Sequence, residues 1–567
     1  MKFSARCTAL AALTFLIAPF SLAAQHLTPA RAEEKCAGEH IVEVTFNGLQ
    51  RDITDRFGSL GAFVNSSARR VQPQTSTKVI ANFVQLHEGD VCDEQRRGDS
   101  ERLLRLQPFI SDAVIRVEHI APDSVRLRVE TIDEYIIFIA AWGLTGVPVG
   151  FEVGTGNLFV GARTLAGTLE YGRGGNVGGG VKYADYQMFG KPIVLRMNYA
   201  SRPLAQYGGV SLVRPFVTGY RETSWQIGSA LSRTYVTFRD PTFRDVSLDY
   251  SRRSWILGAK RRYDNANGGA NFGVVAAGEY ANPERTVAIR ESGPVPASAP
   301  ELLARYPAFE SARVGVSAGY NWIHFLEVRG LDYLSAPQDV VMGLQVAGIG
   351  LKSLNFLARE SPDWVGVGLI RGAAGNAKYM LQGTAEVETR AAANALPSVI
   401  GSGRIGWFGK TSPGHVTSLG LEFAGGVRTR LPLQITFRDD DGLIGFRTQD
   451  FGGAQRTMVR FEDRHAIPSP SQKLELALAG LAQAGRLVAG DAAYGITTPW
   501  RYGVGVALIG GIPAGSKHTV RLEFGLPVNP AGSRSLQFRI GYGERVAFFG
   551  GEPYAITSAR EAAAVAR

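Results

Sequence analysis

Strand-sized segments in which apolar and polar residues alternate fill most of this chain after about residue 135. The clearest are 194–199, 378–389, 519–526 and 535–544, where Leu, Val, Phe and Tyr alternate with Arg, Asn, Gln and Glu. Such alternation predicts β-strands with one apolar face. Lipid offers no hydrogen-bond partner, so each unpaired backbone N–H or C=O group in a bilayer is costly. Strands therefore cross a bilayer only as a closed barrel, with the apolar faces outward. Periodicity alone does not separate such a barrel from a soluble β-sandwich.

The first residues have the features of an export signal. Lys2 and Arg6 precede an apolar run from Thr8 to Ala24, and A-x-A-like exits follow at Ala24 and Ala32. This arrangement predicts a secretory signal peptide over 1–32. The alternative, a membrane anchor, is disfavoured because the run is short and contains a proline.

Composition favours the membrane alternative for the alternating region. The chain is 45% hydrophobic and 10% aromatic, has 68 glycines, and after the signal contains no apolar run of the length that a spanning helix needs. We therefore predict a mainly β protein: a transmembrane antiparallel β-barrel over 135–549, with about 16 strands at ~10 residues each plus turns. A C-terminal tail, 550–567, follows it. Outer-membrane lipid and lipopolysaccharide are the expected surroundings, and a large secreted all-β protein is the alternative.

Charge and cysteine content restrict the function further. The formal net charge of +10 is modest for 567 residues and is spread along the strands, so no nucleic-acid partner is expected. Cys7 lies in the signal, which leaves Cys36 and Cys92 as an even pair in an oxidising compartment. A disulfide and two free buried thiols both remain open for this pair.

Residues 36–134 have a different pattern. An alternating strand from His40, with Val42, Val44 and Phe46 expected on one apolar face, ends at Gly48. Ser76 can cap a helix carrying the apolar residues Val79, Ile80, Phe83 and Val84. A second, charged helix over 93–106 is expected to turn Leu103, Leu104 and Leu106 inward, and two further strands follow. The order β-α-α-β-β predicts a small α+β domain whose sheet has an open edge, and such an edge can bind an extended polypeptide as an added strand.

This module resembles a POTRA domain, the periplasmic unit of the BamA/TamA-type family of outer-membrane assembly and translocation barrels (bacterial surface antigen type). The resemblance rests on four segments: the strand end FNGL, the GD before the second helix, SERLLRLQPF, and VETIDEY. In the barrel it extends through 150–173, 183–201, 214–216 and the closing strands 485–495, 501–513 and 521–528. The order of these segments is more specific than any one of them, and only one POTRA-like domain is expected.

The family resemblance also directs attention to the loop and strand over 439–464. In the family, a surface loop returns into the lumen with an Arg-Gly-Phe/Tyr tip, and its Arg pairs with an Asp of a later strand. Here Ile444 stands in place of that Arg and Gln483 in place of that Asp, although Arg447 lies close by. The predicted loop tip is Gly442, Leu443, Ile444, Gly445, Phe446 and Arg447, and the predicted loop-facing strand residues are Glu462, Arg464, Gln483 and Gly485.

Loss of both partners of the ion pair has a physical rationale. One charge left without its partner in a buried site is costly, whereas replacing both by uncharged groups is close to neutral. The loop is therefore expected to stay anchored through Phe446, Phe451 and the packing of its glycines. Whether translocation or insertion survives the substitution stays open.

Matches to enzyme motifs lack the context that they need. Gly315–Gly319 fits G-x-S-x-G around Ser317, but the surrounding sequence continues as one strand instead of a strand-turn-helix elbow. The histidines show no metal-ligand spacing along the chain. We therefore predict no catalytic residue, no metal and no cofactor, and do not expect an enzyme.

The resemblance implies a function at the bacterial outer membrane, with the N-terminal domain in the periplasm. The chain would assist the insertion or translocation of other polypeptides, which the POTRA-like edge captures in unfolded or extended form. A weak seam between first and last strands, near 136–141 and 536–543, and the lumen loop would gate the barrel, and periplasmic partner proteins are expected. The alternative is a structural barrel, pore or surface antigen that has lost this activity.

Overall fold

The computed structural model describes residues 27, 29–30, 34–49, 74–134, 137–543 with short internal gaps, 556–557 and 560. The predicted signal peptide lies almost wholly outside these residues. Among the described residues, no helix is long and apolar enough to cross a membrane.

The N-terminal domain is a three-stranded sheet covered by two helices. Its strand order is β1-β3-β2, with β1 parallel and β2 antiparallel to β3. Ile41, Leu104, Phe109, Ile115 and Leu127 are among the side chains that form its core. The elements are β1 (His40–Leu49), α1 (Thr77–Ala81), α2 (Glu94–Arg105), β2 (Ile110–Ala121) and β3 (Ser124–Asp133).

Two local expectations for this domain were wrong. Leu106 is 71% exposed instead of inward, because α2 ends at Arg105, whereas Leu104 is buried and Leu103 is partly buried against the core. In β1 the pairing register shifts between Ile41 and Glu43, so Ile41 is buried while Val42 is 50% exposed. The helix start is as the sequence indicates, since the Asp93 side chain accepts a hydrogen bond from the Arg96 backbone N–H (2.7 Å).

Cys36 and Cys92 form a disulfide in the structure. It joins the segment before β1 to the segment before α2, across a sequence separation of 56 residues. Closing a loop of this length stabilises a fold by about 4 kcal/mol in the chain-entropy estimate.

The C-terminal region is a closed antiparallel barrel, as predicted. Around the ring each strand pairs with its sequence neighbours, and β26 pairs with β4 to close it. In the described residues its wall consists of twenty strands: β4 (Ile137–Leu144), β5 (Val147–Thr155), β6 (Arg163–Tyr171), β7 (Val177–Asp185), β8 (Val194–Arg202), β9 (Ala205–Arg214), β10 (Thr223–Phe238), β11 (Val246–Asn265), β12 (Gly268–Arg290), β14 (Phe309–Arg329), β15 (Pro337–Ser353), β16 (Asp363–Gly375), β17 (Tyr379–Ala392), β18 (Ser398–Ser412), β19 (His415–Val427), β22 (Gln455–Ile467), β23 (Glu475–Val488), β24 (Arg501–Gly511), β25 (Thr519–Pro527) and β26 (Gln537–Gly543).

The wall therefore has more strands than the about 16 expected from ~10 residues per strand plus turns. Several hairpins turn within a few residues, for example between β11 and β12 and between β18 and β19. Three short elements lie off the wall: β13 (Gly293–Pro296), which pairs with β12, and the pair β20 (Ile435–Thr436) and β21 (Gly452–Gly453). A helix, α3 (Pro300–Arg305), follows β13.

The barrel turns its apolar face outward. On β22, Phe461 is 41% exposed on the outside, whereas Arg460 and Glu462 on either side of it point inward and are 5% and 3% exposed. On β19, Leu419, Leu421 and Phe423 are exposed in the same way. An exposed apolar exterior around a charged interior is the arrangement of a barrel in lipid and the reverse of a soluble sandwich.

The N-terminal domain lies against one end of the barrel, here called the domain end. Arg105 of α2 donates two hydrogen bonds to Asp339 at the start of β15 (2.7 and 2.8 Å). On the β24–β25 turn, Ser516 donates to Glu134 (2.6 Å) and Lys517 donates to the Ile110 carbonyl (2.7 Å). Further contacts reach the β5–β6 and β7–β8 turns through Asn157–Thr75 and Asn82–Gln187.

Candidate functional site in the barrel and the N-terminal sheet

The segment between β19 and β22 folds back into the barrel lumen. Within it β20 pairs with β21 in the register Ile435 to Gly453. Phe437, Leu443 and Phe446 are fully buried against inward-facing Met458 and Leu487. The loop is thus held by apolar packing, in the manner that the sequence predicts for Phe446. Of the predicted loop residues, Arg447 lies outside the described residues.

The loop tip lies on a flat surface formed by glycines. Gly445 has φ +81°, and a Cβ there would lie 2.5 Å from the Pro527 backbone nitrogen. A Cβ at Gly503 or Gly525, on β24 and β25, would overlap Ile444. Only glycine lets the loop approach these two strands so closely.

The structure brings together the two positions at which the sequence departs from the family pattern. The backbone N–H of Ile444 donates to the Gln483 side-chain oxygen at 3.0 Å. The Ile444 side chain packs against inward residues of β23 and β24, including Ala479, Leu481 and Ala507. A neutral hydrogen bond and apolar packing therefore hold the loop tip against the inner wall.

The four predicted loop-facing strand residues divide into two groups. Gln483 bonds the loop tip, and Gly485 lies so close to Phe437 that a Cβ there would be 2.9 Å from the ring. Glu462 and Arg464 face the lumen but bond elsewhere, which corrects the expectation. Arg521 donates to Glu462 (2.7 Å), and Arg464 donates to the backbone carbonyls of the β14–β15 turn.

Inward-facing ion pairs join strands around the lumen. One set runs along β19 to β26: Glu422–Arg460, Glu462–Arg521 and Glu523–Arg539, with nitrogen-oxygen distances of 2.9, 2.7 and 2.8 Å. A second set links β11, β12, β14, β16 and β17: Arg252–Glu279, Arg390–Glu279, Arg313–Asp363 and Arg390–Asp363. These pairs balance the buried charges of the inner wall.

In the N-terminal sheet, α2 covers the first half of the free edge of β2. Glu101 accepts from the Ile115 backbone N–H, and Arg97 donates to the Ile115 carbonyl, both at 2.7 Å. Arg105 donates to the Ala113 carbonyl at 2.9 Å. Burial raises the pKa of the Glu101 carboxyl group, although Arg97 opposes this. Side chains here occupy the positions that an added strand would need.

Among the described residues, the second half of the β2 edge is not covered by side chains of α2. The β2–β3 register places Val117 and His119 in the same alternation as Ile115, so their backbone groups also point away from β3. His119, Ile120 and Ala121 are exposed. Because Val117 as a whole residue is only 2% exposed, room for an added strand is at 119–121 and not along the whole of β2.

The first and last barrel strands are joined over a short distance. β26 pairs with β4 in the register Arg539 to Leu144 and Ile540 to Gly143, whereas it pairs with β25 from Gln537 to Gly543. From the sequence we expected the weak seam near residues 136–141 of the first strand. The described pairing lies at the other end of β4 instead.

The structure also places the other residues that the sequence singled out. Ser317 lies within the continuous strand β14, away from any strand-turn-helix elbow. His415, Asp463 and His465 meet on the outer face of β19 and β22, a cluster that the sequence spacing did not reveal because it forms across strands. Both imidazoles bond Asp463, at 2.8 and 2.9 Å, and Thr417 donates to the same carboxylate, so these groups satisfy one another.

The C-terminal tail supplies lumen residues for which the sequence offered no account. Ile556 is fully buried among inward side chains of the barrel, and Arg560 forms an ion pair with Glu386 of β17 at 2.9 Å. A short stretch with no periodicity carries no signal for such a placement.

No protein-family model and no curated protein matches this sequence. Among solved structures, the chain is similar to BamA from Haemophilus ducreyi lacking POTRA domains 1–3, at 13% identity and a TM-score of 0.37, covering 89% of this chain and 85% of that one. It is also similar to CdiB from Acinetobacter baumannii (9% identity, TM-score 0.41, 89% and 74% covered) and from Escherichia coli (10%, 0.39, 89% and 77%). Likeness at this distance assigns no activity.

Proposed function

We propose that this chain is a bacterial outer-membrane barrel that assists the insertion or translocation of other polypeptides, with its N-terminal domain in the periplasm. The observation that carries this proposal is the combination, in one wall, of an apolar outer face and a junction between β26 and β4 that, in the described residues, has two register pairs. Such a wall suits a bilayer, and its weakest junction is where β4 meets β26. Lipid and lipopolysaccharide would surround it, and periplasmic partners would reach the N-terminal domain.

Capture of a client is the first step of the proposed mechanism. An unfolded or extended polypeptide pairs with β2 over 119–121, where the backbone groups of His119 are directed away from β3. Main-chain hydrogen bonds give such pairing its affinity with little dependence on sequence. The arginines and the glutamate of α2 restrict it to this half of the edge.

Transfer follows at the barrel, because the domain lies against the turns of its domain end. The client then passes to the β4–β26 seam or to the lumen, where the tucked loop around Ile444 acts as the gate. A neutral Ile444–Gln483 contact holds that loop without the strong bond of a buried ion pair. No nucleotide, metal or other cofactor and no catalytic residue enters this mechanism, which is not enzymatic.

The capture step is tested by His119→Pro. Proline removes the outward N–H of residue 119 while the bonds between β2 and β3 remain, so cross-linking of an extended client peptide should fall at least about tenfold, if the edge contributes ~1.4 kcal/mol. His119→Ala keeps the N–H and is the matched control. Equal cross-linking by both variants would reject capture at this edge.

A structural barrel, pore or surface antigen is the second candidate. It is favoured by the filled lumen, in which the loop and Arg560 both lie, since a static barrel needs no free passage. Conductance in planar bilayers separates the two functions. A client that changes the conductance supports the first, and a conductance indifferent to every client supports the second.

A further inference from the structure

The cluster of His415, Asp463 and His465 lies on the outer face of the barrel, where β19 begins and β22 nears its end. His415 is the first residue of β19 and the register partner of His465. Further along the same outer face, Leu419 and Phe461 are exposed apolar residues. The cluster therefore lies at the rim of the apolar surface, and its side chains are 28%, 34% and 48% exposed. An ion can reach it from water.

The donor atoms of the three side chains converge. One oxygen of the Asp463 carboxylate bonds Nε2 of His415 at 2.8 Å, and the other bonds Nε2 of His465 at 2.9 Å. The two imidazole rings are stacked, with centroids 3.9 Å apart and planes inclined by 17°. One ligand atom from each residue lies within 4.8 Å of those of the other two. Three potential metal ligands thus face a common point.

Little movement separates this arrangement from a metal site. Zinc–nitrogen bonds measure ~2.0–2.1 Å and zinc–oxygen bonds ~2.0–2.2 Å, so two ligand atoms on one tetrahedral ion lie about 3.3 Å apart. The nitrogen–oxygen distances in the cluster are 2.8 and 2.9 Å. Side-chain rotations that open each contact by roughly half an ångström would therefore admit the ion.

Two threonines supply the outer contacts that metal ligands need. The Thr411 hydroxyl bonds Nδ1 of His415 at 2.6 Å, and the Thr417 hydroxyl donates to the Asp463 carboxylate at 2.6 Å. Because a hydroxyl both donates and accepts, Thr411 can accept from Nδ1–H and leave Nε2 of His415 unprotonated for a metal. Metal-binding histidines usually have such a partner on the second ring nitrogen.

We propose that His415, Asp463 and His465 bind a divalent transition-metal ion, Zn²⁺ or a chemically similar one, on the outside of the barrel. Two imidazoles and one carboxylate suit Zn²⁺, Cu²⁺ or Ni²⁺, whereas Ca²⁺ and Mg²⁺ prefer ligand sets made of oxygen atoms. Three protein ligands leave the fourth tetrahedral position to water. Since the two histidines belong to different strands, the ion joins β19 to β22 and stabilises their pairing. The site takes no part in the proposed client path.

Zinc titration of the full-length, untagged protein tests the site. The protein is refolded in detergent, checked by heat-modifiable migration, freed of metal with a chelator and titrated with ZnCl₂ in a calorimeter. One saturable site is expected, and a large excess of Ca²⁺ should not compete for it. His465→Ala should weaken zinc binding at least about tenfold, because loss of even an outer contact of a metal site has an effect of this size.

His324→Ala is the matched control, because it removes an exposed histidine of β14 outside the cluster. It should bind zinc like the wild-type protein. Equal zinc affinities of the wild type and His465→Ala would overturn the proposal, as would an equal loss in the two histidine variants. Displacement of zinc by Ca²⁺ would also overturn it, because the cluster would then attract cations by charge alone.

A stability measurement separates a metal site from a cluster that serves only as a set of hydrogen bonds. Zinc should raise the temperature at which the folded band disappears on gels for the wild type and for His324→Ala, but not for His465→Ala. If zinc left the wild-type temperature unchanged, or raised it equally in His465→Ala, the proposal would be rejected. Neither result bears on capture of clients at β2, which His119→Pro tests separately.

Discussion

At the tip of the lumen loop, one backbone N–H of Ile444 meets one side-chain oxygen of Gln483. A neutral hydrogen bond of this kind contributes about 0.5–1.5 kcal/mol net, far less than the cost of removing one partner from a buried ion pair. Such a contact is easier to break than a buried ion pair would be. Sequence comparison with the family pattern predicts that these two positions matter, and the structure supplies the bond that joins them.

Phe446 is the residue on which the anchoring of the loop should depend most. Its side chain is fully buried against Phe437, Leu443, Met458 and Leu487, so Phe446→Ala should destabilise the folded barrel by about 3–5 kcal/mol. The heat-modifiable fraction on gels should fall accordingly.

The matched control for that change is Phe461→Ala. Phe461 lies on the outer face of β22 and is already 41% exposed, so its truncation removes fewer contacts. Equal effects of the two variants would contradict the anchoring role of Phe446.

Asp133, the last residue of β3, should make the N-terminal domain dependent on pH. Burial raises the pKa of its carboxyl group to about 6, and Thr75 donates its backbone N–H to it at 2.6 Å. Because the folded state then binds the proton more tightly than the unfolded state, the contribution of Asp133 to stability is fully present below pH ~4, and about 3 kcal/mol of it is lost as the pH rises through 6.

Asp133→Asn keeps an acceptor for Thr75 but does not ionise. Amides of β1 to β3 should therefore exchange more slowly in this variant than in the wild-type chain at pH 7, and at a similar rate at pH 4. Hydrogen exchange on the full chain measures both conditions. If the wild-type amides exchanged faster than those of the variant by the same factor at pH 4 and at pH 7, titration of Asp133 would be contradicted.

Among the elements, β2 and α2 illustrate what sequence patterns can and cannot predict. Alternation predicts β2, and Asp93 predicts the start of α2. Whether the edge of β2 is free depends on Arg97, Glu101 and Arg105 reaching its backbone, which is a tertiary contact between residues up to 18 positions apart. The same limitation explains the bulge in β1, since period-2 alternation assumes an unbroken register.

The β4–β26 junction is the element whose opening the proposed function requires. Gly143 and Ile540 are register partners, so Gly143→Cys with Ile540→Cys should form a disulfide across the seam. Oxidised, the double variant should lose client insertion while keeping client cross-linking at the N-terminal domain. Reduction should restore insertion.

Each single cysteine variant is a control for that experiment, and so is the wild-type chain with and without reductant, because reduction also opens Cys36–Cys92. Full insertion by the oxidised double variant would show that the seam need not part.

For the whole molecule, the contact between the N-terminal domain and the barrel is the feature that sequence alone could least predict. Its ion pair, Arg105 with Asp339, joins residues 234 positions apart. The two separate folds follow from local patterns, whereas their docking depends on a few polar groups with no periodicity. The buried position of Arg560 could not be predicted from the sequence for the same reason.

Asp339→Ala should loosen this docking. The change leaves the largely buried Arg105 without its bidentate partner, at a cost of about 3–5 kcal/mol for a buried pair. Distances between spin labels on the domain and on the barrel should broaden. Asp332→Ala, on the neighbouring turn, is the control; identical broadening in both variants would contradict a specific role for Asp339.

The strands of the wall differ greatly in length around the ring. In the part of the chain that the structure describes, β26 has 7 residues and β4 has 8, whereas β11 and β12 have 20 and 23. At about 3.4 Å per residue and a tilt near 40°, the short strands rise only ~20 Å, less than the ~30 Å hydrocarbon thickness of a typical bilayer. Hydrophobic mismatch should therefore draw the two leaflets together beside the β4–β26 junction, so that a polypeptide leaving there would enter the membrane where it is thinnest.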